Sequence, residues 1–190
     1  MKYRREIDGL RAVAVVPVVL FHAGFSLFSG GYVGVDVFFV ISGYLITTIL
    51  LSELHAGKFS IVKFYERRAR RLLPALFLVM ACCLPFAWLW LLPEDMVDFG
   101  QSLMSVVGFV SNLLFWREET GYFNTAAELK PLLHTWSLAV EEQFYLLFPL
   151  ALMLLWKLPR LGLFALLALV SVISLGIAEW GAHNQQAAAW

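Results

Sequence analysis

Long apolar stretches separated by short polar segments dominate the chain. A helix needs about 20 mostly apolar residues to cross the hydrocarbon core of a bilayer. Six stretches are candidates for such spans: residues 9–28, 32–52, 72–92, 99–116, 136–156 and 161–178. Tryptophans stand near the ends of several of them, as expected for rings at the membrane–water interface. The pattern predicts an all-α fold, a multi-pass transmembrane helical bundle with five or six spanning helices in this chain.

Composition agrees with a membrane protein. Hydrophobic residues make up 61% of the chain and charged residues 15%, against about 45–50% and 25% in soluble domains. Fourteen basic residues balance fourteen acidic ones, so the net charge indicates no nucleic-acid partner. The two cysteines, Cys82 and Cys83, are adjacent, which suits neither a structural disulfide nor a metal site.

The distribution of lysine and arginine predicts the orientation. Three basic residues lie within residues 2–5 and six within residues 53–71, whereas residues 29–31 and 93–98 contain none. Because basic loops stay on the cytoplasmic side, we expect a multi-pass protein of the cell membrane with a cytoplasmic N-terminus. Asp8 and Arg11 interrupt the first apolar stretch, which favours a retained helix over a cleaved signal peptide.

The first predicted span carries two ionisable residues, Arg11 and His22, with Pro17 between them. Ionisable groups inside a span are candidates for function because inserting them is costly. Eleven positions place the two side chains about 20° apart around a helix and about 16 Å apart along it. They would line one groove at different depths. The alternative is that Arg11 extends to the headgroups and His22 bonds a neighbouring helix.

Asp36 is a candidate partner for His22. The turn between the first two predicted helices is expected to be centred near Gly30, with His22 eight residues before it and Asp36 six after it. An antiparallel hairpin would then bring both to nearly the same depth. A carboxylate beside an imidazole fixes its tautomer and raises its basicity, as for a general base. An ordinary buried polar pair is the alternative.

Arg68 and Arg71 lie three residues apart and therefore on one face if the segment is helical. Paired guanidinium groups suit phosphate. Alternatively, the basic cluster sets topology and contacts anionic lipid.

A second polar block runs from His134 to Tyr145 and brings Glu141 and Glu142 into an apolar helix, where burial would favour protonated carboxyls. Structural contact between helices is the alternative there.

Four blocks in this order resemble the acyltransferase-3 family of multi-pass membrane proteins. They are Ile7–Ala12 continuing to His22, Gly31–Tyr44, Phe64–Arg71 and His134–Tyr145. The resemblance implies an O-acyltransferase that takes an acyl group, usually acetyl, from cytoplasmic acyl-CoA. It implies acceptors among the sugars of surface polysaccharide, lipopolysaccharide or peptidoglycan. Family members usually have about ten helices, so residues 1–190 are expected to form a single membrane acyltransferase domain that is truncated at its C-terminus.

The resemblance also implies site residues. The family's Arg-x10-His and Arg-x-x-Arg pairs, which are associated with activity, correspond to Arg11 with His22 and to Arg68 with Arg71. We expect His22, Asp36 and Glu141 to be catalytic, and the substrate-binding residues to be Arg11, Arg68, Arg71 and His134. His22 would take the proton of a sugar hydroxyl, or would carry the acyl group covalently.

The expected partners are the lipid bilayer, acyl-CoA as donor substrate and a carbohydrate acceptor, with no bound cofactor, no metal and no nucleic acid. Two other functions stay open: a transporter of a lipid-linked sugar, and a non-catalytic membrane remnant. Paired broken segments in two halves, which a repeat-built transporter would show, are not evident in the sequence.

The segment 99–116 is the shortest and most polar candidate span. If it crosses the membrane, the loop 117–135 is cytoplasmic, and if it is re-entrant, that loop is external. We expect a re-entrant or partly spanning segment, because this places His134 and Glu141 on the same side of the membrane as His22 and Asp36. An acidic or basic group is most useful near the charge that develops in the reaction.

Overall fold

The computed structural model describes residues 5–119, 130–155 and 158–184. Seven helices occupy these ranges: α1 Arg5–His22, α2 Gly34–His55, α3 Ile61–Trp90, α4 Pro93–Val107, α5 Ser111–Glu119, α6 Thr135–Leu155 and α7 Arg160–Asn184. Two short 3-10 turns, Ser26–Phe28 and Gly31–Val33, connect α1 to α2. No strand occurs in the described ranges, so the prediction of an all-α fold is confirmed.

Within the described ranges, four segments are long and apolar enough to cross a membrane: Gly31–His55, Ile61–Trp90, Thr135–Leu155 and Leu161–Gly181. They correspond to four of the six predicted spans. The prediction of five or six spans is not confirmed. Helix α1 has only 18 residues, and its first half contains Arg5, Glu6, Asp8 and Arg11. With four charged residues, α1 is too polar to be a candidate membrane span.

The predicted span 99–116 is not one helix. Helix α4 ends at Val107 and α5 begins at Ser111, and Phe109 between them has a positive φ of 52°, a conformation that is unusual for a bulky residue. Fifteen and nine residues give helices of about 22 Å and 14 Å, each shorter than the roughly 30 Å hydrocarbon core. The side of the membrane on which the next loop lies stays a prediction.

Helix α3 begins eleven residues before the predicted span 72–92. The segment between α2 and α3 is therefore only residues 56–60, and the arginine run lies inside the helix. Pro74 is consequently an interior residue of α3. The 30 residues of α3 make it about 45 Å long, enough to cross the hydrocarbon core and extend beyond it.

Two compact units divide the chain, one up to Arg68 and one from Ala69 onward, and each is described by itself. In the first, α1 packs against α2. In the second, a buried apolar cluster joins α3, α4 and the segment before α6. Its members are Leu76, Met80, Ala87, Phe99, Val106 and Leu132. Of the predicted site residues, Arg11, His22, Asp36 and Arg68 belong to the first unit and Arg71, His134 and Glu141 to the second.

Candidate functional site

Two glycines allow α1 and the start of α2 to meet backbone to backbone. A Cβ added to Gly31 would lie 2.2 Å from the Pro17 carbonyl oxygen, and one added to Gly34 would lie 2.1 Å from the Ala14 carbonyl oxygen. No side chain fits at either position without moving the helices. Small residues are the usual means by which helices approach closely in membranes.

This contact fixes the level of Asp36 and corrects the predicted pairing with His22. Gly31 lies opposite Pro17 and Gly34 opposite Ala14, so Asp36 is level with residue 12. That is ten residues before His22, or about 15 Å along α1. Asp36 also lies about 200° around α2 from Gly34 and thus on the face away from α1. No hydrogen bond or ion pair joins Asp36 to His22 in the described ranges.

The error in the predicted pairing comes from the position of the turn. Gly31 lies opposite Pro17 and Gly34 opposite Ala14, so the hairpin is centred about halfway between them, near residue 24 and well before Gly30. Asp36 instead occupies the first turn of α2. A carboxylate there is favoured by the partial positive charge of the helix N-terminus, which gives Asp36 a structural reason to be present.

His22 ends α1, and its ring is held by its own helix. Nδ1 lies 2.8 Å from the Val18 carbonyl oxygen. Because a carbonyl only accepts hydrogen bonds, Nδ1 carries the proton, and Nε2 has the lone pair in the neutral ring. Phe21 meets the imidazole edge-on at 5.1 Å between ring centres. The Val18 carbonyl therefore does the orienting that we had expected from Asp36.

Local geometry alone does not single out His22. His55 ends α2 and places its Nδ1 2.7 Å from the Leu51 carbonyl oxygen in the same manner. The difference is the surroundings, since His22 shares its helix with a second ionisable residue, Arg11. Helix α1 is continuous through both residues, so the predicted offset of about 20° around the helix and about 16 Å along it applies.

Arg11 is half-buried beside the α1–α2 contact. Its guanidinium carbon lies 4.8 Å from the centre of the Phe38 ring, a cation–π distance that stabilises a charge by about 0.5–1 kcal/mol at exposed sites and more when it is desolvated. Phe38 is one turn beyond Gly34, so the close glycine contact brings the ring under the guanidinium. The sequence did not indicate this partner.

The arginine pair Arg68 and Arg71 lies within α3, three residues apart as predicted. Arg68 is half-buried and Arg71 is exposed. The neighbouring Arg67 donates to the Glu53 carboxylate at 2.9 Å. This exposed pair contributes little to stability. It does join the end of α2 to the start of α3 within the first unit.

Glu141 has a partner on its own helix. The Tyr145 hydroxyl donates to the Glu141 carboxylate one turn away on α6, and Tyr145 is buried. His134 is exposed in the turn before α6, and its carbonyl accepts a hydrogen bond from Ser137. Their predicted roles in catalysis and in substrate binding stay predictions.

Gln143 makes hydrogen bonds to residues at the break between α4 and α5. Its amide nitrogen donates to the Phe109 carbonyl at 2.8 Å and to the Asn112 side-chain oxygen at 3.0 Å. The Ser111 hydroxyl donates to the Thr135 carbonyl at 2.9 Å. The bond from Gln143 gives a donor to the Phe109 carbonyl, a backbone group that the helix break would leave without a partner. No role is predicted for Gln143 from the sequence, although a side-chain amide in an apolar helix indicates a hydrogen-bonded contact.

The four helices of membrane-spanning length and composition in the described ranges indicate a membrane protein. The family described as "Acyltransferase domain" matches residues 4–188. O-acetyltransferase OatA of Staphylococcus aureus strain NCTC 8325 / PS 47 is 41% identical over 178 residues, 93% of this chain. OatA of strain COL gives the same values. The chain therefore belongs to the acyltransferase-3 family, and the resemblance seen in the sequence is confirmed.

The chain spans 29% of the length of these two relatives. No solved structure matches the chain significantly.

Proposed function

We propose that this chain is part of an integral membrane O-acyltransferase that moves an acyl group, acetyl in the simplest case, from acyl-CoA to a hydroxyl of a cell-surface carbohydrate. The observation that carries the proposal is the pair of ionisable residues on α1. Arg11 and His22 lie on one side of a helix that is closed against α2 by two glycines. The relatives named as O-acetyltransferases support the reaction class.

In this proposal His22 is the general base. The sugar hydroxyl gives its proton to His22 Nε2 while its oxygen attacks the thioester carbonyl and forms the new C–O bond. The C–S bond then breaks, and the leaving sulfur takes the proton back from the imidazolium. The products are the sugar ester and CoA with a free thiol. The Val18 carbonyl, which accepts from Nδ1 at 2.8 Å, keeps Nε2 as the basic nitrogen.

The arginines suit the donor. Acyl-CoA carries phosphates, and guanidinium groups bind phosphate through paired charge-assisted hydrogen bonds. We propose that Arg68 and Arg71 bind these phosphates at the cytoplasmic side, where the N-terminus would also lie. Arg11, held over Phe38 at 4.8 Å, would contact the part of the donor that extends toward His22. A role for Asp36 as the partner of His22 is not part of this proposal.

Transfer of label tests the proposal against a transporter and against a non-catalytic remnant. Membranes containing the full-length protein are incubated with acetyl-CoA labelled in the acetyl group. An acyltransferase places the label in envelope saccharide, from which mild alkali releases it as acetate. Membranes without the protein are the control. Saccharide that gains no alkali-labile label would contradict the proposed function.

A further inference from the structure

A cavity of about 200 Å³ lies in the second unit beside the corner between α3 and α4. Its lining residues are Leu91, Asp95, Asp98, Phe99, Ser102, Lys130 and Pro131. Ser102, which lines the cavity, is only 6% exposed. A serine hydroxyl can both donate and accept a hydrogen bond, so Ser102 can bond an occupant of the cavity.

Lys130 is fixed at the edge of the cavity. Its ammonium donates to the Glu118 carboxylate and lies 5.9 Å from the centre of the Phe115 ring. An ammonium has three donors, so donors remain beyond the bond to Glu118. The lining of the cavity thus combines the carboxylates of Asp95 and Asp98, the hydroxyl of Ser102 and the ammonium of Lys130 with apolar side chains.

The lining selects a class of ligand. Two carboxylates repel phosphate, which disfavours the CoA part of the donor. A sugar ring has hydroxyls that donate to carboxylates and apolar C–H faces that pack on aromatic and aliphatic side chains. Sites for drug-sized ligands measure about 300–1,000 Å³, so a cavity of about 200 Å³ suits one sugar unit better than a longer segment.

The position of the cavity also suits the acceptor. Leu91 follows the end of α3 and lies twenty residues after Arg71, which is about 30 Å along the helix and equals the thickness of the hydrocarbon core. Exposed Trp88 and Trp90 mark this end of α3 as an interface. The cavity and Arg71 therefore lie at opposite faces of a membrane that α3 crosses.

We propose that this cavity binds one sugar unit of the carbohydrate acceptor, on the face opposite to the donor's arginines, an inference that rests on the proposed function. The first test is steady-state kinetics of the full-length protein in membrane vesicles, with labelled acetyl-CoA and envelope oligosaccharide freed of O-esters. We expect Asp98→Asn to raise the apparent KM for oligosaccharide about tenfold or more, since a charged acceptor is lost, while the KM for acetyl-CoA changes less than twofold.

Glu94→Gln is the matched control. Glu94 lies in the first turn of the same helix but does not line the cavity, so both KM values should stay at the wild-type level. An Asp98→Asn protein that behaves like Glu94→Gln would overturn the proposal. A raised KM for acetyl-CoA alone would overturn it too, because the occupant would then be the donor.

A binding test separates this proposal from the proposed function. In full-length protein without its native cysteines, Ser102→Cys is labelled with a small thiol reagent in the presence and absence of the oligosaccharide. We expect the oligosaccharide to slow labelling at least threefold, and less once Asp98→Asn is added. Label transfer without protection would overturn the cavity proposal alone, as would a cysteine that never reacts. Protection without any label transfer would overturn the proposed function but would still support binding of the oligosaccharide in the cavity.

Discussion

Substituting Gly34 by alanine should force α1 and α2 apart. The new Cβ would lie 2.1 Å from the Ala14 carbonyl oxygen and 2.8 Å from a Val18 methyl group. The carbonyl belongs to the helix backbone and cannot rotate away, so the helices must separate by about 1 Å locally. Overpacking of this kind costs about 1–3 kcal/mol. Separation would also withdraw Phe38 from under Arg11, a contact of 4.8 Å.

Gly43 provides a matched control on the same helix. A Cβ added there meets nothing within 4 Å, and alanine in a helix interior is about 0.5–1 kcal/mol more favourable than glycine. The two substitutions should therefore differ by about 2 kcal/mol or more. For a chain of 190 residues that corresponds to a melting temperature about 4–8 °C lower for Gly34→Ala than for Gly43→Ala, and the shift is smaller in a longer protein.

The assay is thermal unfolding of the full-length protein in detergent, with acyl transfer measured on the same samples. Gly34→Ala should lose both stability and transfer rate, and Gly43→Ala should lose neither. Equal melting temperatures for the two variants would refute the close backbone contact, and with it the register that separates Asp36 from His22.

Three further predictions concern the donor site, the helix break and the topology. Replacing both Arg68 and Arg71 by alanine should raise the KM for acyl-CoA, since each lost charge-assisted bond costs about 1.5–3 kcal/mol; inverted membrane orientation in parallel topology measurements would instead indicate a lipid-anchoring role. Gln143→Leu should destabilise the protein by about 1–3 kcal/mol, measured as a lower melting temperature, because the Phe109 carbonyl loses its donor at 2.8 Å; an unchanged melting temperature would mean that the break holds itself. A cysteine at Thr125, which lies outside the described residues, should react with a membrane-impermeant reagent in intact cells; labelling only after the cells are opened would place that loop in the cytoplasm.

The apolar pattern located the helices better than it located their contacts. Four predicted spans coincide with membrane-length segments because twenty consecutive apolar residues leave few alternatives to a helix. The break at residues 108–110 was only suggested by polar residues nearby. It depends on the positive φ of Phe109 and on Gln143, which is 34 residues away in the chain, so no local pattern could show it.

The candidate site was predictable where chemistry follows from one helix and not where it depends on packing. The spacing of Arg11 and His22 on α1 follows from helix geometry alone. Pairing His22 with Asp36 required the position of the hairpin turn, and a single misplaced turn moved Asp36 by about 15 Å and to the wrong face. The Arg11–Phe38 contact and the cavity beside Ser102 arise from tertiary contacts that the sequence does not display.

The most direct test of the account compares His22→Ala with His55→Ala in the full-length protein. Both histidines end a helix and bond a backbone carbonyl one turn back through Nδ1, at 2.8 Å and 2.7 Å, so the two substitutions make the same local change. Membrane insertion is checked for each, and transfer of labelled acetyl from acetyl-CoA to envelope saccharide is measured. We expect transfer to be abolished in His22→Ala and to stay near the wild-type rate in His55→Ala. Near-normal transfer by an inserted His22→Ala protein would contradict the role of His22 as the base.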